Sequence, residues 1–96
     1  NLFISSFTSF EIAIKHLKKK LTLPIKPSKW IPEVLEYHGI IEIPVDSEIA
    51  ICSVNLPHLH NDPADRIIIA TSMIKNIPIL SPDSLMKKYP HLVVRW

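Results

Sequence analysis

The sequence predicts an α/β domain with a mostly parallel sheet, and three observations predict it. Short β-branched runs, Phe3 to Ser5, Ile40 to Val45 and Ile77 to Leu80, alternate with segments of helical length and spacing. Helix-capping residues follow these runs, as in Asp46-Ser47 and Ser81-Pro82-Asp83. At 96 residues and 47% hydrophobic content the chain has room for one core, so residues 1–96 read as a single domain.

Phe3 to Ser5 is short and apolar, a strand running into a turn. Thr8-Ser9-Phe10-Glu11 has the spacing of a capping box, and Ile12, Ile14, Leu17 and Leu21 include helical spacings, which predicts a helix over Ser9 to Lys20. Leu21 to Pro27 connects it to a second helix, Ser28 to His38, with Trp30, Ile31, Val34 and Leu35 inward and Gly39 as its C-terminal stop. After the strand Ile40 to Val45, Asp46 or Ser47 caps a helix with Ile49, Ala50, Val54 and Leu56 inward. His58 to Asn61 is a loop. In Asp62-Pro63-Ala64-Asp65, Asp62 suits an N-cap, Pro63 the first helical position and Asp65 the first turn. The run Ile67, Ile68, Ile69, Ala70, Ser72 and Met73 leaves little polar face, so this helix is expected to be buried on most sides. Ile77 to Leu80 is the next strand, a short helix opens at Ser81-Pro82-Asp83, and Leu92 to Arg95 reads as a last strand.

Composition narrows the function classes. No apolar run reaches the length of a membrane span, and the N-terminal residues lack a signal-peptide pattern, so the expectation is a soluble, cytoplasmic protein. The single cysteine, Cys52, is expected on a buried helical face in a reducing compartment. There is no P-loop, no GxGxxG, no nucleophile elbow and no CxxC. Net charge is only +2, yet five of the six residues from Lys15 to Lys20 are Lys or His. That cluster suits either phosphate contacts or a solvated helix end complementing the dipole.

Glu11, Asp62, Asp65 and Asp83 each fall in the first turn of an expected helix, where an acid stabilises the helix whatever else it does. Their joint placement adds to this, because in an open parallel sheet the turns after strands gather at the carboxyl edge, where ligands bind. Carboxylates gathered at one edge repel unless a cation neutralises them, and hard oxygen donors suit Mg²⁺ or Mn²⁺, ions able to promote phosphodiester hydrolysis. His58 and His60 with Asp62 offer a weaker zinc alternative.

Three segments, SSFTSFEIAIKHLKKKLTLP, LPHLHNDPADRIIIATSMI and ILSPDSLMKKYP, resemble PIN-domain toxin ribonucleases of the VapC type, in the right order and over nearly the whole chain. The resemblance implies a three-layer α/β/α sandwich, Mg²⁺- or Mn²⁺-dependent RNA cleavage, a cognate antitoxin that inserts a peptide near the site, and a homo-oligomer. Residue by residue, it implies Glu11, Asp65 and Asp83 as catalytic metal ligands, Asp62 as an accessory acid, and Ser9 as the small polar residue before the first acid. Lys18, Lys19 and Lys20 are the expected RNA contacts, and Arg66 is expected to pair with local acids.

The chain departs from this family at its start, since the family's first strand, its Asp and about two helices have no counterpart before Asn1. The corresponding expectation is an N-terminally truncated PIN-like sandwich, short of one ligand and weak in activity by itself. The strands at Phe3 and Ile77 would then close the gap by direct pairing, by exchange with a second copy, or around a separate segment. The alternatives are a catalytically inactive remnant that binds an antitoxin or its own kind, and a basic nucleic-acid-binding module.

Overall fold

The computed structural model describes residues 1–57 and 62–92. Among these, the elements run β1 (Leu2–Ser5), α1 (Ser6–Leu17), α2 (Pro27–His38), β2 (Ile40–Ile43), α3 (Ser47–Asn55), α4 (Pro63–Lys75) and α5 (Pro82–Met86). The α/β class is as the sequence predicts. The loop at His58 to Asn61 and residues 93–95 of the expected last strand lie outside the described residues.

β1 and β2 pair in parallel, with Leu2 opposite Ile40 and Ser5 opposite Ile43. On the other side of β1, Ile4 and Leu80 form a parallel bridge in which the Leu80 N–H donates to the Phe3 carbonyl at 2.8 Å. Of the routes for closing the sheet, the described chain takes direct pairing. The strand expected over Ile77 to Leu80 shrinks to that bridge, because Pro78 has no N–H to donate to a ladder. β2 likewise ends at Ile43, directly before Pro44.

The start of α1 differs from the expected capping box. Ser5, extended at φ −80° and ψ 143°, is the N-cap, and its hydroxyl accepts from the Phe7 N–H at 3.1 Å. The helix therefore starts as soon as β1 ends, and Glu11 lies in its second turn. Its other end is Leu17. The N–H of Lys19 then donates to His16 O and that of Lys20 to Lys15 O, around Lys19 in the left-handed region at φ 60°. This is a Schellman stop with lysine where glycine is usual, and it puts Lys18, Lys19 and Lys20 beyond the helix in an exposed turn.

α2 follows the expected pattern: Pro27 opens it, Trp30 and Val34 are buried, and Gly39 at φ 62° closes it. Asp46 caps α3, accepting from the Ile49 N–H at 2.9 Å. The inward face of α3 is narrower than expected, for Ile49 and Ser53 are buried while Ala50 and Val54 are exposed and Leu56 is half-buried. Cys52 is half-buried and free.

α4 also departs from expectation. Only Ala64, Ala70 and Thr71 are buried, Ile67 to Ile69 are half-buried and Met73 is exposed. The helix packs on α3, α1 and β1, which covers part of its circumference. The main core lies elsewhere, in Ile4, Ile12, Leu21, Leu23, Trp30, Val34, Ile40, Leu85 and Met86. Tyr89 closes that core, edge-on to Trp30 and hydrogen-bonded to His38 Nε2 at 2.8 Å.

Arg66 fixes α3 to α4. Its Nε donates to Ser53 O, Nη1 to Pro57 O, and Nη2 to Val54 O and Leu56 O. These carbonyls, which the C-terminal end of α3 leaves unsatisfied, are partners of Arg66 additional to the local acids expected from the sequence. A planar fork suits such a set and a lysine does not. Arg66→Ala is expected to destabilise the fold by about 2–3 kcal/mol, since hydrogen bonds to charged donors are worth about 1.5–3 kcal/mol and several are lost together. Arg66→Lys should recover less than half of that loss in urea denaturation; full recovery would show that charge alone suffices.

Candidate active site

At the carboxyl edge of β1, the starts of α4 and α5 meet the second and third turns of α1. Between them lies an open cleft of about 290 Å³ lined by Glu11, Lys15, Asp62, Ala64, Asp65, Ser81, Pro82 and Asp83. The four acids singled out in the sequence thus share one cleft. Asp62, the expected accessory acid, stands among them.

Three of these acids have a local reason to be where they are. Asp62 is the N-cap of α4 and accepts from the Ala64 N–H at 2.8 Å. Asp65 lies in the first turn of α4 and Asp83 in the first turn of α5, each beside a helix's positive end. Ser81, between them, caps α5 by accepting from the Ser84 N–H.

Glu11 has no such reason. It is past the first turn of α1, and its Oε1 is shielded from solvent without a hydrogen-bond partner among the described residues. Burial raises its pKa, the charge of Asp62 raises it further, the Lys15 ammonium partly offsets this, and Asp65 adds to the rise. Thr8 Oγ1, one turn earlier on α1, is also buried and unpartnered. A shielded carboxylate oxygen facing further carboxylates is a setting that a hard divalent cation would satisfy.

No family model, curated protein or solved structure matches this chain. The reading therefore rests on geometry. As the side chains stand, no group of three His, Cys, Asp or Glu among the described residues is placed to hold a metal ion. Mg²⁺ does not require such a cage, because it commonly takes one or two carboxylates and completes its shell with water and phosphate oxygens. Glu11 and an aspartate of the same cleft would supply that number of carboxylates.

The other residues named from the sequence fall elsewhere. Ser9 turns to the sheet, its hydroxyl donating to Glu42 Oε2 at 2.5 Å. Lys18, Lys19 and Lys20 lie at the far end of α1 and do not line the cleft. His58 and His60 lie outside the described residues. Lys15, which in the sequence stands only as part of the basic cluster, also lines the cleft; the signal for it is its position four residues after Glu11, on the same helical face.

The raised Glu11 pKa carries a signed prediction. The folded chain holds this proton more tightly than the unfolded chain does. The associated stability is fully present below the ordinary value of 4.5 and is lost as pH rises through the higher folded value. Glu11→Gln, which mimics the protonated side chain, is expected to melt above wild type at neutral pH and to converge with it below pH 4.5. A variant that melts lower at neutral pH would show that the ionised carboxylate is already satisfied.

Proposed function

We propose that this chain is a PIN-like, Mg²⁺- or Mn²⁺-dependent ribonuclease of the toxin class, acting on RNA phosphodiester bonds at the Glu11, Asp62, Asp65 and Asp83 cleft. The observation that carries the proposal is Glu11, whose Oε1 is shielded from solvent without a hydrogen-bond partner among the described residues, while burial and the Asp62 charge raise its pKa. The finer fold reading, a three-layer α/β/α sandwich, goes with it and is supported by the parallel order of β2, β1 and Leu80. A cytoplasmic location, a cognate antitoxin and a homo-oligomeric state belong to the same proposal. Among the described residues, no helix is long and apolar enough to cross a membrane.

A divalent ion held by Glu11 with Asp65 or Asp83 would supply Lewis acidity toward a phosphoryl oxygen and make water a better nucleophile. The chain's own part is to hold these carboxylates on three helices, to keep Glu11 shielded from water, and to balance the negative field with Lys15. Asp62 contributes charge but spends an oxygen on its own helix cap.

A second reading, a non-catalytic module that binds an antitoxin or a second copy, is favoured by one observation. Ile51 and Val54 on α3 and Met73 on α4 are apolar and exposed, at 63%, 74% and 62%.

The two readings part in a cleavage assay on labelled single-stranded RNA with Mn²⁺ or EDTA. The nuclease reading expects cleavage that needs Mn²⁺ and falls at least a hundredfold in Asp65→Asn, in line with the loss of about 3 kcal/mol of transition-state stabilisation. RNA left intact by wild type under Mn²⁺, or cut equally by both proteins, would overturn it in favour of the binding module.

A further inference from the structure

Among the described residues that line the cleft, Lys15 is the one cationic side chain, and its position on α1 has a consequence for substrate binding. An α-helix advances about 100° and 1.5 Å per residue, so positions 11, 15 and 18 fall within an arc of about 60° and a span of about 10 Å. α1 is continuous to Leu17, and Lys18 is its C-cap, held in helical position by its N–H, which donates to Ile14 O at 3.0 Å. Glu11, Lys15 and Lys18 therefore form one file that starts inside the cleft, passes its wall at Lys15 and ends at the exposed Lys18-Lys19-Lys20 turn.

We infer that Lys15 is a substrate-binding residue that takes the phosphate next to the scissile one, with the RNA backbone running along this file from the cleft toward Lys18. The inference rests on the nuclease reading of the cleft and deepens it. Three features of the chain support it.

First, Lys15 is half-buried at the cleft wall, whereas Lys18, Lys19 and Lys20 are exposed. A phosphate reaching Lys15 meets an ammonium partly removed from water, where the attraction exceeds that of a fully solvated lysine. Second, Lys15 lines the same cleft as Glu11, Asp62, Asp65 and Asp83, so its ammonium shares the space in which the acids gather. When a divalent ion neutralises the acids, the same ammonium becomes surplus positive charge at the cleft wall, suited to a phosphate. Metal and backbone are then bound in a coupled way, without a new residue being recruited. Third, the file is a single row on one helix, and a single row follows one backbone.

The experiment is fluorescence anisotropy of a short labelled single-stranded RNA in Ca²⁺, a hard cation in place of the ions proposed for cleavage, across a salt series. Each phosphate neutralised on a single strand contributes about −0.7 to the slope of log K against log salt. Lys15→Gln is expected to flatten the slope by about 0.7 and to weaken binding several-fold, and Lys15→Arg to restore both. Lys18→Gln should give a similar change. Calorimetry with Mn²⁺ alone, on the same proteins, separates the two claims. If wild type does not bind Mn²⁺, the nuclease reading fails and this inference with it. If Mn²⁺ binds wild type and Lys15→Gln alike while the RNA slope stays unchanged, Lys15 is an internal partner of Glu11 only. That result, together with a lower melting temperature, overturns the inference and leaves the nuclease reading standing.

Discussion

The central position of β1 is the constraint on which the rest of this structure depends. Four residues, Leu2–Ser5, hold β2 on one side and Leu80 on the other, both in parallel. Parallel pairing makes the chain leave β1 and Leu80 at the same edge, so α1 and α5 begin there. Ser5 and Ser81 each take over the first unsatisfied N–H groups of the helix that follows, which lets both turns be abrupt. α4 packs against β1 and α1 and brings its own start to the same place. Ile4, almost wholly buried at the middle of this arrangement, ties the edge to the core.

Such an edge collects helix N-termini, and N-termini accept acids at little cost. That physics accounts for Asp62, Asp65 and Asp83 without reference to function. It does not account for Glu11, which lies too far along α1 for the dipole to help and is partly shielded from water. Burial and the Asp62 charge disfavour its ionised form; under the proposed function a divalent cation would turn the same carboxylate, with its neighbours, into a binding group. The difference between a row of capped helices and a chemical site therefore comes down to one residue. Lys15, a turn farther on, keeps the cleft from being uniformly negative.

Much of this was legible in the sequence because the signals were local. Gly39 as a helix stop, Asp46, Asp62 and Ser81 as caps, and Trp30 with Val34 as an inward pair follow from side-chain chemistry within a few residues. The misreadings came where several residues offered the same signal or where tertiary packing decided. Ser5, Ser6, Thr8 and Ser9 all carry hydroxyls suited to a cap, and the extended backbone at the end of β1 selects Ser5, which moves Glu11 from the first turn to the second. The apolar run of α4 reads as a buried helix, but its contacts cover only one side, and no periodicity in that run says which. Pro78 limits the last pairing to Leu80 although Ile77 to Leu80 is apolar. Lys15 is hidden in a basic cluster whose other lysines end up beyond the helix.

Whether Glu11 makes the cleft a cation site is decided by a calorimetric titration with Mn²⁺. One site is expected in the wild-type chain, with affinity falling as pH drops toward the Glu11 pKa, and no measurable binding in Glu11→Gln. Equal Mn²⁺ affinity in the two proteins would contradict it, leaving the four acids as helix caps and surface charge.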